Sequence, residues 1–371
     1  MTTPRVSVGL PVFNGARYLA QTLDDLLGGT FADLEIVACD NASTDATPDI
    51  LADAARRDRR LRVSRTAANI GALPNANRAV ALARAPLFAL AAYDDRHAPT
   101  FLERLVGALE AAPHAVLAYG GATVVGEDDR PFAFDAAARH YLGPDGTVYG
   151  FDAALERPLP PGTAPADALA RYRAVLRSTD VNAPIHGLFR RAVLDRVGPH
   201  RLHGSDRLIV AHAALAGPFA YVPEALFGFR IHAASTFHLT RAEWLARESG
   251  AAHAGSALDG ARTLAAYLQA AAQAGLPPLA RARALAASAG YAVRPAVLRR
   301  LLLPGRDHYF GWTHWPGGAA PDTRRPPALP ADAGPWEWMT HEGSGKTMKE
   351  RDMPGTGGAS HRTMLPATAS G

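Results

Sequence analysis

Two adjacent carboxylates, Asp94 and Asp95, end the apolar run Leu87-Phe88-Ala89-Leu90-Ala91-Ala92-Tyr93. That run is long enough for one buried strand and too short for most helices. Side chains alternate faces along a strand, so both acids can serve one site only if the chain turns beneath them. Open α/β sheets bind ligands at the carboxyl ends of their strands. A pair of acids there suits a hard divalent cation and, through it, a phosphate. The plainer reading is an Asp-Asp that starts a turn ahead of a helix near Pro99. A second polar cluster, Asp40-Asn41-Ala42-Ser43-Thr44-Asp45, follows the apolar segment Leu34 to Cys39.

The elements that must position these acids alternate strand and helix. Val6 to Pro11 reads as a first strand, followed by a helix with Tyr18, Leu19, Thr22, Leu23 and Leu26 at helical spacing. Leu34 to Cys39 is a second strand, and Thr47-Pro48 supplies an N-cap and an N1 proline for the next helix. A short strand, Leu61 to Ser64, leads through Asn69-Ile70-Gly71 to a helix containing Asn75, Asn77 and Arg78. This order predicts a parallel sheet with right-handed crossovers. No Gly-x-Gly-x-x-Gly follows the first strand, and no Gly-Lys-Ser/Thr loop occurs. Phosphates bound at this sheet would therefore be neutralised by a metal and by arginine.

Four pieces in this order resemble the nucleotide-binding half of a family 2 glycosyltransferase with the GT-A fold. They are Leu10-Pro11-Val12-Phe13-Asn14, Asp40 to Asp45, Asn69-Ile70-Gly71 with Asn77-Arg78, and Asp94-Asp95. The resemblance implies an α/β fold with a Rossmann-like, mostly parallel central sheet flanked by helices and a C-terminal helical extension. It implies an inverting transferase that uses a nucleotide-diphosphate sugar, UDP or dTDP favoured, and an unspecified hydroxyl acceptor on a glycan, a lipid-linked molecule or a small molecule. On that reading Pro11 and Phe13 border the nucleobase, Asp40 accepts a hydrogen bond from it, and Asn14, Asn69 and Arg78 contact the donor. Asp94 would meet the ribose and Asp95 would hold Mn²⁺ or Mg²⁺. Family members often carry a third acid where Ala92 and Tyr93 stand here. Asn41, Ser43 and Asp45 read as turn chemistry instead, because such side chains bond their own backbone.

In the second half, Pro99 to Ala112 reads as helix and Ala115 to Val125 as strand. Residues 127–163 are rich in Gly, Pro and Asp, and a helix from about Pro165 to Arg177 precedes the glycine-containing strand Asp180 to Arg190. His203-Gly204-Ser205-Asp206-Arg207 opens an apolar helix, with Ser205-Asp206 where many relatives read Glu-Asp. The resemblance makes Asp206 the base that takes the acceptor's proton. Ser205 and Asp206 equally suit an N-cap and a first-turn acid. The strand Phe227 to His232 ends in a histidine that the resemblance makes a further metal ligand, with His97 as the competing candidate. Histidine beside a carboxylate suits Mn²⁺ better than Mg²⁺.

The expected organisation is a nucleotide-sugar half over 1–125, an acceptor-binding and catalytic half over 126–240, a helical extension over 241–330 and a disordered tail over 331–371. Tyr291 to Leu303 reads as an amphipathic face packed on the catalytic domain, with peripheral contact to the inner face of a membrane as the alternative. His308 to Trp315 is the densest aromatic cluster.

The chain has 371 residues, 48% hydrophobic and 20% charged, a globular composition. Its net charge of +4 comes from arginine, since Lys346 and Lys349 are the only lysines. The arginines are scattered over apparent helices, which argues against nucleic-acid binding. The single cysteine, Cys39, excludes an intramolecular disulfide. The longest apolar run, Leu208 to Phe229, contains His212, Pro218, Pro223 and Glu224, so it reads as helix, turn and strand rather than a membrane span. A cytoplasmic location is the expectation. Two alternatives compete: a non-catalytic nucleotide-sugar-binding scaffold, and a sugar-1-phosphate nucleotidyltransferase. The second usually needs a Gly-, Arg- and Lys-rich phosphate loop, and Gly9 to Arg17 contains no lysine.

Overall fold

The computed structural model describes residues 3–135, 140–144, 148–149, 167–177, 182–197, 205–232, 235, 247 and 258–292. Strands β1 (Val6–Val12), β2 (Leu34–Asp40) and β3 (Leu61–Arg65) alternate with helices α1 (Leu19–Gly28), α2 (Thr47–Arg57) and α3 (Ala72–Leu82). Then come β4 (Leu87–Leu90), β5 (Arg96–His97), α4 (Phe101–Ala111) and β6 (Leu117–Val125). Three short strands, β7 (Ala133–Asp135), β8 (His140–Leu142) and β9 (Val148–Tyr149), form a separate antiparallel sheet.

The chain returns through α5 (Ala168–Arg177), α6 (Asn182–Ile185), β10 (Leu188–Arg190), α7 (Arg191–Val197), α8 (Ser205–Ala216) and β11 (Phe219–Arg230). Helices α9 (Leu258–Gln273) and α10 (Pro278–Ala292) close the described part.

One eight-stranded sheet, in the order β3-β2-β1-β4-β10-β6-β11-β5, spans both expected halves. β1, β2, β3 and β4 run parallel, as do β6 and β11. β10 is antiparallel to both β4 and β6, and β5 is antiparallel to β11. Helices cover both faces, which is why β1, β2 and β6 are apolar almost throughout rather than alternating. β4 divides the core. Phe88 packs with Tyr119, Tyr172 and Val210 on one face, while Leu87 and Ala89 pack with Val8, Leu23 and Leu105 on the other. Each such fully buried aliphatic or aromatic side chain contributes about 1.5–3 kcal/mol relative to exposure.

Three boundaries differ from the sequence reading. The strand read over Asp180 to Arg190 is, in its described residues, helix α6 followed by the shorter β10. β4 stops at Leu90 instead of running through Tyr93, and Tyr93 and Asp94 form a turn. Thr22 of α1 holds that turn, with its Oγ1 2.8 Å from the Tyr93 carbonyl and 3.0 Å from that of Asp95. β11 is continuous through Pro223, where the sequence predicts a break. Proline has no N–H to give the ladder, and the register against β6 shifts between Val222 and Ala225. The irregularity absorbs the proline without ending the strand.

The helical extension packs on the catalytic layer over its described length. Tyr172 of α5 shares a 2.7 Å hydrogen bond with Ser288 of α10, and both side chains are buried. Residues 293–303 of the amphipathic face, the aromatic cluster at 308–315 and the tail at 331–371 lie outside the described residues. Among the described residues no helix is long and apolar enough to cross a membrane.

Candidate active site

The carboxyl ends of β1, β2 and β4 meet at one edge of the sheet, and their loops are tied to one another. Asn14, in the left-handed region at φ 50°, accepts the Thr44 N–H through Oδ1, while its own N–H donates to Ser43 Oγ. Asparagine tolerates that backbone better than most residues. Gly15 N–H donates to Thr47 Oγ1, and Ala16 N–H to Asp45 Oδ2. Asn41 Nδ2 donates to Asn69 Oδ1, and Asn41 Oδ1 accepts the Ile70 N–H. Asn41 and Ser43 thus tie neighbouring loops together rather than bonding their own turn, and only Asp45, which also accepts the Thr47 N–H, shows the local turn chemistry the sequence suggests. Asn14 and Asn69, expected at the donor, have their carbonyl oxygens engaged in the same loop scaffold.

Asp40 ends β2 and is 1% exposed. Its Oδ1 accepts the Ser43 N–H at 3.0 Å and its Oδ2 accepts from Arg65 Nη1 at 2.7 Å. The carboxylate expected to face a nucleobase therefore already carries an arginine partner from β3. Arg65 went unnoticed in the sequence; its signal was a second basic residue, after Arg62, on a short strand beside Asp40. Pro11 is half-buried in β1 and Phe13, just beyond it, is 37% exposed. Arg78 Nη2 donates to Ser64 Oγ on β3, and its Nη1 is buried without a partner.

The turn after β4 splits the two acids. Asp95 points inward, 2% exposed, and its Oδ1 accepts the Arg230 N–H at 2.9 Å. Burial, and then the nearby Asp94 charge, push its carboxyl well above the usual range against the opposing pull of Arg230. Asp94 points outward, and its Oδ2 lies 3.0 Å from His232 Nε2. The expected metal pair was Asp95 with His232; the structure pairs His232 with Asp94. The reason is the turn at Tyr93-Asp94, which commits Asp95 to the backbone of β11.

Arg230 organises this corner and was quoted in the sequence only as part of a strand. It is 2% exposed, although it carries a full charge. Its Nε donates to the Asp94 carbonyl, Nη1 to the Gly126 carbonyl, and Nη2 to Gln21 Oε1 and Asp129 Oδ1. Its guanidinium also lies 4.6 Å from the centre of the Tyr18 ring, which in turn sits 5.0 Å from the His232 ring. Asp129 bridges onward to Arg96, and Arg96 Nε donates to Asp25 Oδ2 at 2.8 Å. A buried row of alternating charges, Arg230-Asp129-Arg96-Asp25, thus ties β11, the loop after β6, β5 and α1 together. The signal in the sequence was an arginine within an otherwise apolar strand.

His97, the competing ligand, is 1% exposed and packs against the rings of Phe101 and Phe227. Burial drives its pKa down to about 3, so it is a neutral core residue. Glu224 is engaged on the surface by Arg104. Asp180 lies outside the described residues.

Asp206 is the second residue of α8 and makes no hydrogen bond or ion pair to Asp94 or His232 among the described residues. Surrounding protein pushes its carboxyl up to about 6, with the Arg207 charge pulling the other way. The side chain nevertheless reaches solvent.

A divalent metal fits Asp94 and His232. Two ligands about 2.1 Å from one ion, at a right angle, stand about 3.0 Å apart, as these two atoms do. Among the described residues no group of three or more His, Cys, Asp or Glu could hold an ion. The remaining positions would thus fall to substrate phosphate and water, as is usual for an ion bound by one or two carboxylates.

Residues 7–152 match the glycosyl transferase family 2 profile. The chain is 27% identical over 111 residues to an uncharacterized glycosyltransferase of Haemophilus influenzae, covering 30% of this chain and 34% of that protein. It is 30% identical over 102 residues to the uncharacterized glycosyltransferase EpsJ of Bacillus subtilis, covering 28% of this chain and 29% of that one. The chain thus spans about a third of the length of these relatives. Among solved structures, TarS residues 1–349 of S. aureus align with a TM-score of 0.53 at 17% identity, over 78% of this chain and 71% of that one. The same TarS fragment in complex with UDP-GlcNAc aligns with a TM-score of 0.54. Residues 7–152 therefore belong to glycosyl transferase family 2, and the chain has the GT-A fold.

Proposed function

We propose that this chain transfers a sugar from a nucleotide-diphosphate donor to a hydroxyl acceptor, with inversion at the anomeric carbon. The observation that carries the reading is the 3.0 Å approach of Asp94 Oδ2 and His232 Nε2 at the carboxyl edge of the sheet. It puts a carboxylate and an imidazole where an open α/β sheet takes its ligand. The complex of the TarS fragment with UDP-GlcNAc makes UDP-sugars the first donors to test.

In this reading the nucleobase lies near Pro11, Phe13 and Asp40, whose buried carboxylate has lone pairs beyond those used by Ser43 and Arg65. Asp94 and His232 would hold Mn²⁺ or Mg²⁺. When bound, the ion supplies positive charge that stabilises the departing diphosphate. Asp206 accepts the proton of the acceptor hydroxyl as that oxygen bonds to the anomeric carbon and the carbon–phosphate-oxygen bond breaks. Arg230 and Thr22 fix the turn that carries Asp94, so its carboxyl is oriented before the donor arrives.

The test is calorimetric titration of UDP with and without Mn²⁺. Tighter binding in the presence of Mn²⁺ is the expected result. Equal affinity under the two conditions would sink the metal-assisted reading.

A further inference from the structure

His186 occupies the short turn between α6 and β10, followed by Gly187. β10 runs antiparallel to β4, with Leu188 opposite Ala89, so His186 stands at the carboxyl end of β4, from which the Asp94 turn departs. Its Nδ1 lies 3.1 Å from the Leu90 carbonyl oxygen. A carbonyl can only accept, so Nδ1 carries the proton and Nε2 keeps its lone pair. The ring lies flat against Phe227 of β11, with centroids 4.6 Å apart and an interplanar angle of 19°.

Gly187 fixes this arrangement. A Cβ there would stand 2.5 Å from the Ala118 carbonyl oxygen of β6, so the chain passes where no side chain fits. The Gly187 N–H also donates to the Pro184 carbonyl. The imidazole is half-buried, and among the described residues only Nδ1 has a hydrogen-bond partner. Burial lowers the ring's pKa, against opposing pulls from the Leu90 carbonyl and the Asp94 charge. The result is a neutral imidazole, locked in one tautomer, within the field of Asp94. The loop and metal chemistry described above leave it unused.

We propose that His186 is an acceptor-contacting residue, whose Nε2 accepts a hydrogen bond from a second hydroxyl of the acceptor and so orients the attacking one. This rests on the glycosyl-transfer reading. The proton released in the reaction goes to Asp206; His186 stays neutral and acts by positioning. With water in place of the acceptor, His186 Nε2 accepts one of its two hydrogens and so orients the attacking oxygen. The chemistry favours a polyol or sugar over an isolated alcohol.

His186→Asn and His186→Gln test it. An asparagine amide can still donate to the Leu90 carbonyl but has nothing at the Nε2 position, whereas glutamine reaches that position with an acceptor oxygen. Three quantities are measured: UDP affinity with Mn²⁺, release of UDP from UDP-GlcNAc with water as acceptor, and the imidazole ¹⁵N signals of the parent protein. The expected results are unchanged UDP affinity in both variants and about tenfold slower release in His186→Asn. Release is partly restored in His186→Gln, and the His186 signals of the parent are those of the Nδ1-protonated tautomer. Equal release by the parent and His186→Asn, at whatever level, overturns the proposal, as does an Nε2-protonated signal. Failure of the parent to bind UDP with Mn²⁺ overturns the glycosyl-transfer reading with it. UDP binding with equal release removes the His186 role alone.

Discussion

His232 Nε2 stands 3.0 Å from Asp94 Oδ2, while Asp95, one residue further on, turns away to take the Arg230 N–H. Two neighbouring carboxylates therefore do different work. Asp94→Asn should remove the Mn²⁺ dependence of UDP binding and weaken affinity at saturating Mn²⁺ by about tenfold or more. His232→Ala should act in the same direction. Asp95→Asn keeps an acceptor oxygen for the Arg230 N–H and should leave the Mn²⁺ dependence in place. Calorimetry on the three variants reads this directly. Loss of the Mn²⁺ effect in Asp95→Asn alone would restore the assignment first suggested by the sequence.

Arg230 is buried and donates to Asp129 and to several backbone carbonyls. Arg230→Met keeps most of the volume but removes one of the two arginines paired with Asp129, which keeps Arg96 and Gln21, and takes the donor from the buried Asp94 and Gly126 carbonyls. Breaking a buried ion pair from one side costs about 3–5 kcal/mol. For a domain of this size the melting temperature should fall by about 10 °C. The double variant Arg230→Met with Asp129→Asn should lose less than the sum of its two single variants, because the Arg230–Asp129 pair is lost in each of them. Thermal unfolding of the three variants checks this. Additive losses would show that Asp129 gains little from Arg230.

Why the sequence reveals some of this and not the rest follows from how far apart the partners lie. β1, β2, α1 and α4 are legible because their apolar residues repeat with the period of the element that buries them. β7 to β9 have two or three residues each and no run of apolar positions, so nothing local marks them as strands. The acids at the ends of β2 and β4 are visible as residue types. The division of roles between Asp94 and Asp95 is not, because it depends on Arg230, 136 residues away from Asp94 along the chain. The left-handed Ala42 is equally silent, since alanine carries no local sign of positive φ.

On the proposed reading, which puts the nucleobase at Asp40 and the diphosphate at Asp94 and His232, Asp40→Ala should weaken UDP binding with and without Mn²⁺. The change also strands the Ser43 N–H and the Arg65 guanidinium, which were bonded to the carboxylate. A stability loss of about 1–3 kcal/mol accompanies it. Titrations should therefore be run well below the melting temperature of the variant. Unaltered metal-free affinity in folded Asp40→Ala would exclude Asp40 from the base pocket.

On the proposed reading Asp206 is the base and sets the pH dependence. Desolvation by the surrounding protein pushes its carboxyl up to about 6, against the Arg207 charge. A base must be ionised to take a proton, so turnover should fall as pH drops through about 6 and level off above it. The sign is opposite for an acid catalyst, whose activity would rise as pH drops. Asp206→Asn keeps the shape and the capping ability of a first-turn residue while removing the proton acceptor. It should lower turnover by about a hundredfold at pH 7.5, leave UDP affinity with Mn²⁺ unchanged, and abolish the acidic limb of the profile. The measurement is UDP released from UDP-GlcNAc across pH 5 to 8, with donor and Mn²⁺ saturating. Near-normal turnover with the acidic limb intact would make Asp206 only a helix-start acid, and another group the base.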